Sequence, residues 1–229
     1  MPKSVPLRVD IAGGWLDVPH HARPGAFVVN CTIGPCVTQD SWPYQFGGGL
    51  GGSAAKAVLD GVDAVASELL SAGWQDPAVI LETGLCVWRS GPTPILDFKV
   101  NPDFFAGKMA LLWTGKPHVT GDLVNKHRRY TRIEQAANIA RLAVLDRDYD
   151  MVCAAVHQSY SVQLDEDMAV LPMFENVMAK KYCGSGHGGY AVYFFPDSGA
   201  RKDFKDGLGP VYDIIEIEPY MNFGGLTEY

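Results

Sequence analysis

The sequence predicts an α+β protein built as two lobes. Two patterns carry that reading. The first hundred residues alternate short strand-like segments with one glycine-rich loop and a helix, whereas the remainder runs strand, helices, strand, helix, strand. Between them, near residues 100–108, neither pattern continues, which sets lobes of 1–104 and 105–229. A third observation concerns chemistry: the 25 glycines are concentrated in four places rather than spread through turns.

In chain order, Leu7 to Ala12 alternates as a strand and ends on Gly13-Gly14. The turn-rich stretch Pro19 to Gly25 leads to a second strand, Ala26 to Ile33, rich in β-formers. Pro35 to Pro43 reads as loop or edge strand. The loop Gly47 to Ser53 precedes Ala54 to Leu70, whose apolar residues at 58, 62, 65 and 69 have helical spacing. Ala78 to Leu81, Gly84 to Arg89, Ile95 to Val100 and Met109 to Thr114 read as strands. Val119 to Val162 reads as two helices broken near Asp148, and Asp167 to Lys181 as another. Tyr190 to Phe195 is a core strand, Ser198 to Lys205 a short helix and Tyr212 to Ile217 the last strand.

The 229 residues carry 19 Lys and Arg against 26 Asp and Glu, a net charge of −7 with pI near 5.3, which argues against nucleic acid or an anionic membrane as partner. Hydrophobic residues make up 47% and charged residues 20%, usage that excludes a disordered chain. No apolar run approaches the roughly 18 residues of a membrane span, and Pro2, Pro6, Arg8 and Asp10 interrupt any signal-peptide pattern. Cys31, Cys36, Cys86, Cys153 and Cys183 are odd in number and never in a C-x-x-C pair, so free, mostly buried thiols and a cytoplasmic protein are expected. The six histidines have no zinc spacing.

A backbone can cradle a phosphate only where no side chain blocks the approach and where positive φ is available. Gly48-Gly49-Leu50-Gly51-Gly52-Ser53, followed at once by the helix from Ala54, meets both requirements and adds a helix N-terminus. Gly47-x-Gly49-x-x-Gly52 fits the letters of the dinucleotide fingerprint, but no strand precedes it and no acid-terminated second strand follows. A P-loop would need Gly-Lys-Ser/Thr, which is absent here. The second glycine loop, Gly184-Ser185-Gly186-His187-Gly188-Gly189, serves either as a helix end or as the second wall of a nucleotide site. Asp17, following Gly13-Gly14, either binds a sugar hydroxyl or caps a turn.

Three motifs in order, Pro6 to Asp17, Gly48 to Ala55 and Lys181 to Gly189, resemble those of the GHMP kinases. The segments Ala12 to Pro19, Gly73-Trp74-Gln75-Asp76 and Leu111 to Gly115 look most like the fucokinase and D-glycero-D-manno-heptose 7-phosphate kinase branch, in shortened form. The resemblance implies a ribosomal-protein-S5-like N-terminal lobe, a ferredoxin-like C-terminal lobe, ATP and Mg²⁺ as cofactors and a sugar or sugar phosphate as substrate. It implies that Gly48, Gly49, Leu50, Gly51, Gly52, Ser53 and Ala54 wrap the ATP phosphates, with Ser53 and Glu68 on Mg²⁺. Asp76 would take the proton of the attacking hydroxyl and Arg8 would stabilise the transferring phosphoryl group. Gly13, Gly14, Asp17, Gly184, Ser185 and Gly186 would shape the substrate side. A homodimer is compatible with this reading.

One distance conflicts with it. Only 22 residues separate Ser53 from Asp76, and a single helix to Leu70 would rise roughly 25 Å and carry Asp76 away from the loop. A nucleotide-binding protein without kinase activity is the alternative that this expectation motivates.

Overall fold

The computed structural model describes residues 3–65, 73–118 and 128–223. Strand β1 (Val5–Ala12) is buried along its whole length and pairs antiparallel with the long β2 (Phe27–Val37). Helix α1 (Gly52–Leu59) and helix α2 (Gln75–Glu82) follow, then β3 (Leu85–Arg89), β4 (Ile95–Val100) and β5 (Met109–Trp113). Two 17-residue helices, α3 (Tyr130–Asp146) and α4 (Tyr149–Asp165), come next. The chain ends with β6 (Ala179–Tyr182), β7 (Tyr190–Phe194), α5 (Ser198–Leu208) and β8 (Ile214–Pro219).

The strands form one mixed-origin antiparallel sheet in the order β4-β3-β2-β8-β5-β7-β6, with β1 added on β2. Strands from the first hundred residues occupy one side and later strands the other. Among the described residues only β8 bridges them, pairing Ile33 with Pro219 on β2 and Met109 with Ile217 on β5.

The α3–α4 hairpin covers the sheet because Ile133, Ala136, Ala137, Ala140, Ala143 and Val144 fall on one face of α3, with alanines allowing close approach. Its break comes where expected: Arg147 adopts a left-handed φ of 55° and Asp148 caps α4 by accepting from the Met151 N–H at 2.9 Å.

Three expectations fail, each for a local reason. The helix expected over 54–70 ends at Leu59, and residues 66–70 of that expectation lie outside the described residues. Gly61 takes φ +71°, and the N–H groups of Gly61 and Val62 donate to Val58 and Ala57 carbonyls at 3.2 and 2.9 Å. That paired C-cap outweighs the apolar stripe. The strand expected over 78–81 lies inside α2, where Pro77 fits the first turn and Val79 and Ile80 face the core. The helix expected over 167–181 does not form. Pro172 cannot donate a backbone hydrogen bond, Asp167 and Asn176 have positive φ, and Lys180 Nζ instead ties down the Leu171 and Pro172 carbonyls at 2.9 and 2.6 Å. Residues 119–127, the start of another expected helix, lie outside the described residues.

Candidate active site

Strand alternation sorts β1 into two faces. Leu7, Val9 and Ile11 join the apolar core, while Arg8 and Asp10 point the other way and are still only 3% and 2% exposed. A buried guanidinium must be paired. Arg8 donates from Nε to Asp76 Oδ1 at 2.6 Å and from Nη1 to the Gly49 carbonyl at 2.7 Å, with Asp10 Oδ1 3.6 Å away. Burial alone would lower its pKa, but Asp76 and then Asp10 outweigh burial and raise it.

Asp76 reaches this position because α1 stops at Leu59 and α2 starts at Gln75, with Asp76 in its first turn. A Cβ built on Gly51, at φ +75°, would lie 3.2–3.4 Å from Ile80, Arg8 and Asp76 side chains. The first glycine loop and the Arg8–Asp76 pair are therefore in direct contact, and the separation that the sequence predicts is absent.

The two glycine loops are packed backbone to backbone. A Cβ on Gly49 would sit 2.7 Å from the Cys183 carbonyl oxygen, and one on Gly189 2.7 Å from that of Gly48. The Tyr190 N–H donates to the Gly48 carbonyl at 2.8 Å, and His118 donates its N–H to Gly47 O at 3.1 Å. Burial pulls the His118 imidazole below the usual histidine range.

Asp17 is 1% exposed and accepts from the Gln75 backbone N–H at 3.3 Å and side-chain amide at 3.1 Å. Gly73 permits that approach, since a Cβ there would fall 2.2 Å from Asp17 Oδ2. Burial, and then the negative charge of Asp76, push the Asp17 carboxyl up to about 7.

These groups open onto one cavity of about 900 Å³. Arg8, Gly14, Asp17, Gly48, Gly49, Leu50, Gly51, Gly52, Ser53, Asp76, Gly184 and Ser185 all line it. Three expected residues do not. Gly13 lets the chain pass the β2 backbone, a Cβ there lying 2.2 Å from Phe27 O; Ala54 is buried in the core; and Gly186 packs on Met168. Glu68 lies outside the described residues.

Sequence reasoning missed Asp10 and Lys181. Asp10 pairs with the buried Lys181 ammonium and accepts the Gly184 N–H at 2.8 Å, which fastens the second glycine loop to β1. Both are charged residues inside the quoted motifs, but the segment ending at Lys181 reads as a helix in the sequence, so the strand that buries Lys181 against Asp10 carried no signal. Trp42 and Phe46 on the far wall, stacked at 6.2 Å, carried no motif signal.

The sequence matches no family model and no curated protein. Solved structures do match. The D-glycero-D-manno-heptose 1-phosphate kinase from Bacteriodes thetaiotaomicron aligns at TM-score 0.62 and 15% identity, covering 94% of this chain and 95% of that one. The Methanococcus jannaschii mevalonate kinase aligns at 0.71 and 12%, covering 96% and 98%.

This is the GHMP-kinase fold. The Lactococcus lactis galactokinase complexed with galactose shares it at TM-score 0.67 and 10% identity, covering 94% and 92%. At these identities the likeness establishes the GHMP-kinase architecture, and the chemistry has to be argued from the cavity.

Proposed function

We propose that this protein is a kinase that transfers the γ-phosphoryl group of ATP to a hydroxyl of a sugar or sugar phosphate. The observation that carries the reading is the Arg8–Asp76 pair at 2.6 Å, set against the glycine loop at the mouth of the cavity. Solved structures with this fold include the galactokinase and the heptose phosphate kinase, which supports a sugar acceptor. The segments Ala12 to Pro19 and Leu111 to Gly115 favour the fucokinase and heptose 7-phosphate kinase branch.

The site fits a triphosphate and its metal. Backbone at 48, 49 and 51 is bare where a Cβ would already be in contact, and Ser53 is exposed in the first turn of α1 beside it. Ser53, with Glu68, would hold Mg²⁺, which when bound neutralises charge on the phosphates.

The chain's own residues would then divide the work. The acceptor oxygen attacks the γ-phosphorus, the bond from that phosphorus to the β–γ bridging oxygen breaks, and ADP leaves. Asp76, held in orientation by Arg8, takes the acceptor's proton. The Arg8 guanidinium, already desolvated, faces the charge on the phosphoryl group as it transfers. Asp17, fixed by Gln75, is placed to bind an acceptor hydroxyl. Five free cysteines support a cytoplasmic location, and the division into lobes of 1–104 and 105–229 joined by β8 is part of the proposal.

The reading without kinase activity loses its motive, since α1 ends at Leu59 and Asp76 stands next to Arg8. The test is ADP release from Mg-ATP across a panel of sugars and sugar phosphates. Turnover that disappears in a folded Asp76→Asn protein supports the proposal. Full turnover in that variant, or no interaction with Mg-ATP, overturns it.

A further inference from the structure

The wall of the large cavity around Asp17 has hydrogen-bonding needs that the chain leaves unmet. Asp17 is 1% exposed, and the nearby Arg8 guanidinium is committed to Asp76, Asp10 and the Gly49 carbonyl. From other described residues Asp17 accepts two hydrogen bonds, both from Gln75: 3.3 Å from the backbone N–H and 3.1 Å from the side-chain amide. Bonds to an ionised carboxylate are ordinarily about 2.7–2.9 Å. Gln75 is in larger deficit. Its Oε1 is buried and, among the described residues, accepts from no donor, and buried acceptors in folded proteins are rarely left so. The amide cannot be turned over to find another partner while Asp17 is ionised, because its oxygen would then face the carboxylate.

Both residues line the large cavity, together with Gly14, Trp15, Gly73 and Asp76. Gln75 and Asp76 are consecutive in the first turn of α2, so one backbone segment fixes both side chains. Burial, and then Asp76, push the Asp17 carboxyl up to about 7, so at pH 8 it is mainly ionised and only accepts. This end of the cavity then offers two carboxylates and an amide oxygen, while the Arg8 guanidinium is already paired. A phosphate or carboxylate of the acceptor would be repelled beside Asp17. A group with several O–H donors would meet every need.

We propose that Gln75 is a specificity-determining residue that touches the acceptor: Asp17 and the Gln75 amide oxygen together accept from two neighbouring hydroxyls of the sugar, neither of them the one phosphorylated. The inference rests on the kinase reading and deepens it, from one hydroxyl held by Asp17 to a diol read by two residues. The Gln75 oxygen is shielded from water in the unliganded chain. Bringing it to the sugar takes a rotation of the Gln75 side chain, whose last torsion is broad. Because Gln75 adjoins Asp76 in the same helical turn, the diol that is read sets which further hydroxyl reaches the Asp76 carboxylate. A sugar lacking either hydroxyl of the pair leaves a buried acceptor without a donor, which a site of this kind discriminates against strongly.

The experiment is steady-state kinetics at pH 8 with saturating Mg-ATP, using mannose, fucose, galactose and mannose 6-phosphate as acceptors. The sugar turned over best is then compared with its monodeoxy and amino analogues, in the wild type and in Gln75→Ala. In the wild type, removing either hydroxyl of the pair should lower kcat/KM at least about tenfold. In Gln75→Ala the parent sugar should fall to the level of one of those two deoxy analogues, and that analogue should lose nothing further, the non-additivity of a direct contact. A melting curve and a retained Mg-ATP shift check that the variant folds. A wild type indifferent to the loss of every non-reacting hydroxyl overturns the proposal without any variant. An equal loss for the parent and all analogues in Gln75→Ala also overturns it, and makes Gln75 a positioning residue for Asp17. An amino analogue preferred over the parent overturns it in favour of an ammonium ligand. No ADP release by the wild type with any of the four acceptors overturns the kinase reading itself, and this inference falls with it.

Discussion

Arg8 Nε and Asp76 Oδ1 are 2.6 Å apart although they stand 68 positions apart in sequence. The pair joins a strand buried along its whole length to the first turn of a helix and seats both residues against the glycine loop. Replacing Asp76 with Asn keeps the shape and removes the proton acceptor, so kcat should fall about 10²–10⁴-fold while the Mg-ATP melting shift survives. Steady-state kinetics beside a melting curve separates this outcome from misfolding.

Arg8→Ala should behave differently. It strips the cation from Asp76, leaves Asp10 to Lys181 alone, and leaves the Gly49 carbonyl without its donor. Breaking a buried pair from one side costs about 3–5 kcal/mol. Chemical denaturation should therefore show a large loss of stability in Arg8→Ala, and a smaller loss in Asp76→Asn, where the asparagine oxygen can still accept from Arg8 Nε and Asp10 remains 3.6 Å from the guanidinium.

Gly51→Val tests the loop itself. Its φ of +75° suits glycine, and a β-branched side chain would press on Arg8, Asp76 and Ile80 from 3.2–3.4 Å. At a hundredfold excess over Kd, a bound nucleotide stabilises by about 2.7 kcal/mol. That amounts to roughly 5–10 °C for a chain of this size. The wild type should show that shift with Mg-ATP and Gly51→Val should not. An unchanged shift in the variant would remove the phosphates from this loop.

How much of this was legible in the sequence depended on whether the deciding interaction was local. The glycine loops, Arg8, Asp17 and Asp76 could be read because each sits in a short motif whose spacing carries the chemistry. The α3–α4 joint could be read because Asp148 is a local cap. The end of α1 was misread although its signal, Asp60-Gly61, is equally local, because the apolar residues at 62, 65 and 69 continue a helical stripe beyond it. The stretch 167–181 was misread for a non-local reason. Its conformation depends on Lys180 reaching back to two carbonyls and on Met168 and Leu171 entering the core beside Tyr182 and Tyr193. The pairing of Asp10 with Lys181 spans 171 residues, and no window of sequence contains it.

Asp17 makes stability depend on pH. Its carboxyl titrates near 7 in the folded chain and near about 3.9 when unfolded. Between those values the native state binds the additional proton, so stability is highest at the acid end, falls as pH rises through about 7, and is flat above. Asp17→Asn removes this dependence. Relative to wild type the variant should gain up to about 2–4 kcal/mol on moving from pH 5 to pH 8. Urea titrations of both proteins at the two pH values would show it, and parallel pH dependences would place the Asp17 carboxyl in its ordinary range.

The Asp10–Lys181 pair should be a positioning element for the active site. Both side chains are 3% exposed; Lys181 Nζ also donates to the Asp10 carbonyl at 3.0 Å, and Asp10 holds the Gly184 N–H at 2.8 Å. Lys181→Met leaves a buried carboxylate whose remaining cation, Arg8, stands 3.6 Å off, so Arg8 is drawn between Asp10 and Asp76. The expected cost is about 3–5 kcal/mol, together with a lower kcat from a displaced Arg8. The double variant Asp10→Asn/Lys181→Met removes the unpaired charge and should recover part of the stability, while the Gly184 tether can still be accepted by the asparagine oxygen. A double-mutant cycle on stability and kcat reads both effects. Additive stabilities would mean that the two charges do not interact in the folded chain. Recovered stability with kcat unchanged in every variant would make the pair purely structural.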